Sequence, residues 1–251
     1  MNMQWDAETY GRDFSFVHRY GDGVAALIGA APGSTVLDLG CGNGALTHRL
    51  RQSGFQVMGL DASPDLLSAA RKSYPDIEFV LGDAVDFSLP EPVDVVFSNA
   101  VFHWIEKKCH PAMLACVSRA LKPGGEFVFE FGGSGNTAWI EAALERAFSR
   151  EGYRYQNPFF FPTIGEYAPM VEAAGFRVEY AQLFARPTPL QGEDGLGNWI
   201  RMFLKGPFEA LPDPARQAVI RRAEAELRPV LCRDGQWYAD YVRLRMKARK
   251  L

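Results

Sequence analysis

The sequence is poor in the residues that hold metals or form disulfides. It has four cysteines and four histidines among 251 residues. The cysteines show no CxxC spacing, so they indicate reduced thiols rather than zinc ligands or a disulfide framework. The histidines lack metal-ligand spacing too, and no metal is expected.

Long apolar runs are also missing. No stretch of about 18 uncharged apolar residues exists, so no membrane span is expected. The opening residues, "MNMQWDAETYGRDF", mix charges with aromatics and lack the basic and apolar regions of a signal peptide. Together with the reduced thiols, these absences predict a cytoplasmic protein.

Neither sign of charge is in large excess. The formal net charge is −3, with 47% hydrophobic and 23% charged residues, as in ordinary globular proteins. No basic stripe interleaved with aromatics is present, so neither nucleic acid nor a membrane is expected as a partner. The sequence contains no indication of the oligomeric state.

Strand and helix patterns alternate over the first half of the chain. A helical pattern over 13–30 comes first, and apolar strands are predicted at 34–40, 55–61, 77–83, 93–100 and 126–133. Helices are predicted between them at 43–54, 63–74 and 107–121, the last ended by "KPGG". Ser63 is the predicted N-cap of the second, with Pro64 at its first helical position. This order predicts a mostly parallel sheet covered on both faces, a doubly wound, Rossmann-like α/β fold.

The pattern loosens after Gly135. Helices are predicted at 136–150, over "GEYAPMVEAAGF" and in two segments between 186 and 236, with a strand at 176–186. The closing residues 238–249 alternate with period 2 and form a strand with one basic face. We interpret that face as the charged side of an edge strand, in preference to a nucleic-acid patch.

Polar residues follow four successive predicted strands, at the edge where such sheets bind ligands. The loop Gly40-Cys41-Gly42-Asn43-Gly44 follows the first strand, and Asp61 ends the second. Asp83 and Asn99 follow the third and fourth strands. An acid about 20 residues after the glycines suits a ribose diol, because one carboxylate can accept both hydroxyl protons. The pattern predicts a nucleoside site.

The charge beside the loop favours one kind of nucleoside. The loop reads G-x-G-x-G and lacks the full G-x-G-x-x-G of dinucleotide sites. Asp38 adds a negative charge next to it, unfavourable for a pyrophosphate but favourable for an ammonium or sulfonium group. A positively charged nucleoside is therefore predicted in preference to NAD.

Five segments resemble the ordered motifs of class I S-adenosylmethionine-dependent methyltransferases over residues 34–131: "VLDLGCGNG", "GLDASPDLLSAAR", "GDAVDF", "SNAVFHWI" and "LKPGGEF". The segments "WDAETYGRDFSFVHRYG", "GNWIRMF" and "WYADYVRLR" are similar to bacterial small-molecule enzymes related to the trans-aconitate and malonyl-carrier-protein methyltransferases. The resemblance implies S-adenosylmethionine as cofactor and S-adenosylhomocysteine as product. It also implies a seven-stranded sheet with an inserted antiparallel strand, for which 238–249 is the candidate, beside 176–185.

The resemblance implies a role for each residue of the predicted site. Asp38 would lie near the amino end of the cofactor, the glycines against its methionine and ribose parts, and Asp61 at the ribose hydroxyls. Asp83 and Ala84 would meet the adenine, and Asn99 with Ala100 the far side of the sulfonium. The predicted cofactor-binding residues are Asp38, Gly40, Cys41, Gly42, Asp61, Ala62, Asp83, Ala84, Asn99 and Ala100.

The segments that differ among such enzymes should shape the acceptor side. Residues 1–30 are predicted as a helical lid, and 134–165 with 186–236 as cap elements around a cofactor-binding core at 34–133. By resemblance Tyr10, and with it Trp5, would face the site from the lid, and Tyr10 is a candidate catalytic residue. Their alternative role is to anchor an N-terminal arm by packing.

His103 follows the fourth strand by a few positions. It is a candidate general base or acceptor-orienting group, and its alternative role is to cap a short turn. Trp104 and Arg201 are candidates for acceptor binding, with Arg186 as a second arginine. Either arginine could equally be an ordinary surface residue.

Taken together, the sequence predicts one domain over 1–251 that methylates a small-molecule acceptor by in-line displacement. O-methylation of a carboxylate or a hydroxyl is the expected reaction, and only a hydroxyl requires a base. Two alternatives are a protein that binds S-adenosylmethionine without methyl transfer, and an NAD-dependent oxidoreductase.

Overall fold

The computed structural model describes residue 21 and residues 23–251. The strands in this part of the chain are β1 (Thr35–Leu39), β2 (Gln56–Asp61), β3 (Glu78–Leu81), β4 (Val93–Asn99), β5 (Leu121–Gly132), β6 (Phe176–Pro189), β7 (Cys232–Arg233) and β8 (Gln236–Lys250). Its helices are α1 (Ala45–Gln52), α2 (Pro64–Ser73), α3 (His110–Ala120), α4 (Ala138–Arg150), α5 (Ile164–Ala173), α6 (Gly195–Phe203), α7 (Lys205–Phe208) and α8 (Asp213–Leu231). Two 3-10 turns, Phe102–Trp104 and Lys107–Cys109, precede α3. The predicted lid residues Trp5 and Tyr10 lie outside the described residues.

Parallel pairing brings the carboxyl ends of β1 to β4 to one edge of the sheet. The strands follow the order β3-β2-β1-β4-β5-β8-β6, with β7 paired to β8. β1 pairs in parallel with both β2 and β4, so the strand order reverses beside it. Such a reversal is where doubly wound sheets bind ligands. The predicted fold class is confirmed.

β8 lies inside the sheet, between β5 and β6. The N–H of Leu251 donates to the carbonyl of Gly175, and the N–H of Leu190 donates to that of Trp237. Because the partner numbers run in opposite directions, β6 and β8 are antiparallel. The predicted inserted strand is confirmed, and the interpretation of its basic face as part of an edge strand is wrong.

Buried carboxylates explain why a basic strand can lie inside the sheet. The Nε of Arg245 is 2.7 Å from Glu130 Oε2. Lys247 Nζ and Arg249 Nη2 lie 3.1 and 3.2 Å from Glu126 Oε1. Alternation along β8 shows which face is basic, but it cannot show that acids of a neighbouring strand cover that face.

Local sequence signals predict some helix and strand boundaries correctly and miss others. The Ser63 side chain accepts the N–H of Leu66 and caps α2, as its sequence predicts. α3 ends at Ala120, and β5 begins at once with Leu121. The "KPGG" segment therefore lies within β5, where Gly124 has a φ of +74° and the register with β4 shifts. The helix end is predicted to within one residue, but the predicted start of the strand is wrong by several residues, because the bulge lets pairing begin before the glycines.

β5 separates two apolar layers. Its residues Phe127, Phe129 and Phe131 share one face, where the ring of Phe102 lies 5.5 to 5.9 Å from all three. Val128 points to the other face and joins the cluster of Val24, Val36, Leu46, Leu50, Val95 and Phe97. The aromatic layer therefore anchors the turn that follows β4, which carries the predicted residues His103 and Trp104.

The described chain forms two compact units. The first runs to Phe131 and adds Pro162–Leu183 and Leu244–Leu251, and the second comprises Gly132–Phe161 and Phe184–Arg243. Every predicted cofactor-binding residue belongs to the first unit. β5, β6 and β8 contribute residues to both units, and the single domain stays a prediction.

Some observations bear on metals and membranes. All four cysteines are free thiols. Between residues 23 and 251, His, Cys, Asp and Glu form no group of three or more that could hold a metal ion. The helices of the same range are too short or too polar for any of them to cross a membrane.

Glu126→Gln should destabilise the first unit by removing the charge that faces Lys247 and Arg249. Glu126 also accepts the N–H of Gly29 at 2.8 Å. We expect the free energy of unfolding to fall by about 2 kcal/mol, because Lys247 would lose its carboxylate partner and Arg249 would keep only Glu179 as one. Urea unfolding of the variant measures the change.

The matched control is Glu106→Gln. Glu106 pairs with Lys108 at 2.8 Å, but both side chains are largely exposed. An exposed pair contributes at most about 1 kcal/mol, so this variant should unfold almost like the parent. Equal effects of the two substitutions would show that burial of the Glu126 charge is unimportant.

Candidate functional site

The predicted cofactor residues meet at the carboxyl edge of the sheet. The last residue of β1 lies beside Leu60 of β2, and Asp38 lies beside Phe97 of β4. Asp61 and Asn99 are the last residues of those two neighbouring strands. The sheet therefore brings Asp38, Asp61 and Asn99 to one edge, as the sequence predicts.

The glycine loop adopts a conformation that other residues rarely take. Gly40, Gly42 and Gly44 have φ values of +79°, +55° and +78°. A Cβ on Gly40 would lie 2.3 Å from Cγ2 of Val101, so backbone and side chain touch there. A Cβ on Gly42 would meet no described atom within 4 Å. The backbone at Gly42 is thus open to a ligand. Glycine is required at position 40 because the Val101 side chain fills the space beside it.

Asp61 joins the loop to β2. Its Oδ2 accepts the N–H of Gly42 and its Oδ1 accepts the N–H of Ser63, both at 2.8 Å. Burial raises the pKa of Asp61, and these backbone donors oppose the rise. Each carboxylate oxygen keeps a second lone pair. The side chain is therefore held in place with acceptor capacity left for two hydroxyl groups.

Asp38 is almost fully buried and has a hydrogen bond that sequence reasoning missed. The Oγ1 of Thr47, on α1, donates to Asp38 Oδ2 at 2.6 Å. Burial raises the pKa of Asp38 to about 7, the Thr47 hydrogen bond opposes the rise, and the Asp61 charge adds to it. Burial also raises the pKa of the Cys41 thiol well above its usual range, with Asp38 and Asp61 adding to the effect. Cys41 therefore stays a neutral thiol.

Asp83 and Ala84 form a turn after β3. Asp83 is exposed, and its Oδ1 accepts the N–H of Val85 at 3.1 Å. A bridge between Asp83 and Asp86 closes the turn. The turn lies after the strand next to β2, as expected, and its contact with adenine stays a prediction.

The end of β4 carries backbone strain. Ala100 has a φ of +62°, in a region that residues with a side chain seldom adopt. Its N–H donates to the carbonyl of Glu130 at 2.7 Å, which holds the strained residue against β5. Strain of this kind is concentrated at functional sites. The location agrees with the predicted role of Asn99 and Ala100, which is otherwise untested.

His103 and Trp104 lie in the 3-10 turn that follows. His103 is 8% exposed, and its ring centroid is 5.3 Å from that of Trp104. The turn begins at the fully buried Phe102, so its position relative to β4 is fixed by the aromatic layer. Site lining by His103 and Trp104 stays a prediction, and Tyr10, the other predicted catalytic residue, lies outside the described residues.

His110, at the start of α3, supports the same turn. Its Nε2 is 3.2 Å from the carbonyl of Ile105, which can only accept, and its Nδ1 is 3.0 Å from the hydroxyl of Tyr167. Nε2 therefore carries the proton, and Tyr167 donates to Nδ1. Burial lowers the pKa of His110 to about 4, so the ring is neutral near pH 7. A structural role for His110 agrees with its placement on a helix.

The predicted acceptor arginines lie in the second unit. Arg201 is exposed on α6, and its Nη1 donates to Asn198 at 3.0 Å. It lines a groove of about 710 Å³ that also includes Glu224. The guanidinium carbon of Arg186 lies 5.0 Å from the ring centroid of Phe184. Contact of either arginine with an acceptor stays a prediction.

This arrangement fits a cationic nucleoside. Asp61 offers two oxygens for a diol, Gly42 leaves the backbone accessible, and the buried carboxyl of Asp38 favours a positive group nearby. Two further contributors, Thr47 and Ser63, could not be found from strand ends alone. The only sequence signal for Thr47 is a hydroxyl on the apolar face of α1 between Leu46 and Leu50.

Asp38→Asn should stabilise the ligand-free protein more at pH 8 than at pH 5. The folded protein holds the Asp38 proton to a higher pH than the unfolded chain does. Stability is therefore lost as the pH rises from about 4 to about 7. The amide cannot ionise, so its advantage should grow by about 2 kcal/mol between the two pH values.

Thermal unfolding at both pH values measures this difference. Asp86→Asn is the control, because Asp86 is exposed. A gain of equal size at pH 5 and pH 8 for Asp38→Asn would contradict a buried ionisation at this site.

Comparisons with known proteins agree with the geometry. A methyltransferase domain family model matches residues 36–125. The chain is 36% identical to an uncharacterized methyltransferase of Schizosaccharomyces pombe, over 98% of both chains. It is 28% identical to a trans-aconitate 2-methyltransferase of Methylobacterium nodulans, again over 98% of both.

A solved structure shares the fold. It is a Haemonchus contortus phosphoethanolamine N-methyltransferase in complex with S-adenosylhomocysteine. The TM-score is 0.59 at 17% identity, over 97% of this chain and 56% of the other. The glycine loop, Asp38 and Asp61 lie at the expected strand ends. S-adenosylmethionine is therefore the cofactor, and the chain belongs to the class I S-adenosylmethionine-dependent methyltransferases.

Proposed function

We propose that the chain transfers the methyl group of S-adenosylmethionine to an oxygen of a small-molecule acceptor, a carboxylate or a hydroxyl. The observation that carries the proposal is its end-to-end likeness to a trans-aconitate 2-methyltransferase, combined with the cofactor site at the sheet edge. trans-Aconitate is a carboxylic acid, so a carboxylate is the first acceptor class to test.

The residues at the sheet edge would each hold a part of the cofactor. Asp61 would accept hydrogen bonds from the two ribose hydroxyls, and Asp38 would attract the positively charged end. The open backbone at Gly42 admits the molecule close to the loop. These contacts would leave the methyl group exposed toward the end of β4 and the turn carrying His103.

The cofactor supplies a methyl group on a positively charged sulfur. The acceptor oxygen uses a lone pair to bond the methyl carbon, while the electrons of the breaking carbon–sulfur bond stay on sulfur. Holding that oxygen in line with the bond supplies much of the acceleration. A carboxylate is nucleophilic without help, whereas a hydroxyl must lose its proton to a base such as His103.

The direct test uses methyl-labelled S-adenosylmethionine. The protein is incubated with trans-aconitate, and separately with a small-molecule extract, and products are read by mass spectrometry. Label released as methanol by alkali identifies a methyl ester, and label that resists alkali identifies an ether. Cofactor binding by calorimetry without any labelled product would contradict the proposal and favour a binding protein without methyl transfer.

Asp61→Ala should weaken S-adenosylhomocysteine binding by about 100-fold, because two charge-assisted hydrogen bonds are lost. Isothermal titration measures the dissociation constant. Asp65→Ala, at an exposed position on α2, should bind like the parent. An unchanged constant for Asp61→Ala would remove Asp61 from the cofactor site.

His103→Gln should change kcat by less than about threefold with a carboxylate acceptor, which needs no base. With a hydroxyl acceptor the loss should reach about 100-fold. His48→Gln, whose ring stacks on Tyr74 with centroids 4.5 Å apart, is the control. A large loss with a carboxylate acceptor would assign His103 a role in binding or positioning it.

A further inference from the structure

The hydrogen bond between Thr47 and Asp38 sets the state of the most deeply placed acid in the site. Thr47 is fully buried and Asp38 is 2% exposed. Their oxygens are 2.6 Å apart, with Thr47 Oγ1 as donor. Among the described residues no second hydrogen bond reaches Asp38, so Thr47 is the one donor that opposes the effect of burial on its pKa.

None of the described groups around Asp38 supplies a compensating positive charge. On β2 the nearest ionisable residue is Asp61, another acid, and in the loop it is the Cys41 thiol. On β4 the neighbours are Phe97 and the Ser98 hydroxyl, which donates to the Leu39 carbonyl at 2.7 Å. On α1 it is Thr47. Within the described part of the chain, Asp38 is thus flanked by neutral or acidic groups on every element that packs against it.

We propose that Thr47 is a positioning residue for Asp38, and that binding of the ammonium group in the cofactor's amino acid part releases the Asp38 proton to solvent. The cation supplies the opposite charge that the ligand-free site lacks, so the ionised carboxyl becomes the favoured form when the ligand is bound. The O–H bond of the carboxyl breaks, its electron pair stays on the oxygen, and the proton leaves to water. The inference rests on the cofactor assignment and is independent of the acceptor.

Thr47 determines the pH at which Asp38 loses its proton. Its hydrogen bond favours the ionised carboxylate and opposes the rise in the pKa of Asp38. Without that donor, the ligand-free site would keep its proton to a higher pH. Affinity for a cationic ligand would then be weakened at neutral pH and restored in alkaline solution.

The test compares two ligands over pH 5.5 to 8.5 by isothermal titration. S-adenosylhomocysteine carries the amino acid part, and 5′-methylthioadenosine has the same nucleoside without it. The parent protein should bind S-adenosylhomocysteine up to about tenfold more weakly per pH unit below 7, because Asp38 must first lose its proton. Its affinity for methylthioadenosine should change much less.

Comparison with 5′-methylthioadenosine also distinguishes titration of Asp38 from titration of Asp61. Both ligands carry the ribose, so titration of Asp61 would weaken both of them equally. Asp38→Asn should remove the additional dependence seen with S-adenosylhomocysteine. Parallel pH slopes for the two ligands, or an unchanged slope in Asp38→Asn, would overturn the inference.

Thr47→Val tests the positioning role with a side chain of the same shape. It should weaken S-adenosylhomocysteine binding by about tenfold at pH 7 and by less than about twofold at pH 8.5. Thr47→Ser keeps the hydroxyl and should behave like the parent. A loss in Thr47→Val that is equal at all pH values would indicate a merely structural role.

Proton release can also be counted on the parent protein alone, which keeps the inference testable if Thr47→Val fails to fold. Titrations in two buffers of different ionisation enthalpy give the number of protons released. We expect S-adenosylhomocysteine to release more protons than methylthioadenosine near pH 6, and equal numbers at pH 8.5. Equal numbers near pH 6 would overturn the proposal while leaving methyl transfer to a small acceptor unaffected.

Discussion

The hydrogen bond from the backbone of Gly42 to Asp61 ties two neighbouring strand ends into one site. It is 2.8 Å long, and the same carboxylate holds the start of α2 through Ser63. The loop can reach Asp61 only because its glycines adopt positive φ values, and because β1 and β2 are parallel and in register. Sheet order, loop shape and acid therefore depend on one another, and their combination determines the shape of the candidate site.

Acids in this molecule occur in two contrasting settings. On β5, Glu126 and Glu130 are buried against cations of β8, and their charges stabilise the packing of an inserted strand. At the strand edge, Asp38 is buried and Asp61 is partly buried, and burial raises the pKa of both. The negative charges of these two acids therefore destabilise the ligand-free protein but favour a cationic ligand. Sites arranged for function often lower stability in this way.

Sequence reasoning found what local pattern and chain order determine. The glycine loop, Asp61, the Ser63 cap and the inserted strand follow from turn chemistry, capping rules and the resemblance of ordered motifs. It failed where distant residues decide the outcome. Glu126 and Glu130, which pair with the basic face of β8, lie more than 100 positions away in the sequence. The start of β5 depends on a bulge against β4. Thr47 was missed for the same reason, since its importance exists only through a contact with another element.

One contact in the loop has an evolutionary consequence. The side chain of Val101 occupies the space that any side chain on Gly40 would need, with 2.3 Å to the nearest methyl carbon. The two positions belong to different motifs, yet they share a single volume. A lineage could enlarge residue 40 only after residue 101 had become smaller, and the reverse order would pass through an overpacked intermediate. The order of mutations at this pair is thus constrained by geometry. The two motifs cannot change independently at these positions, although each motif can be recognised alone.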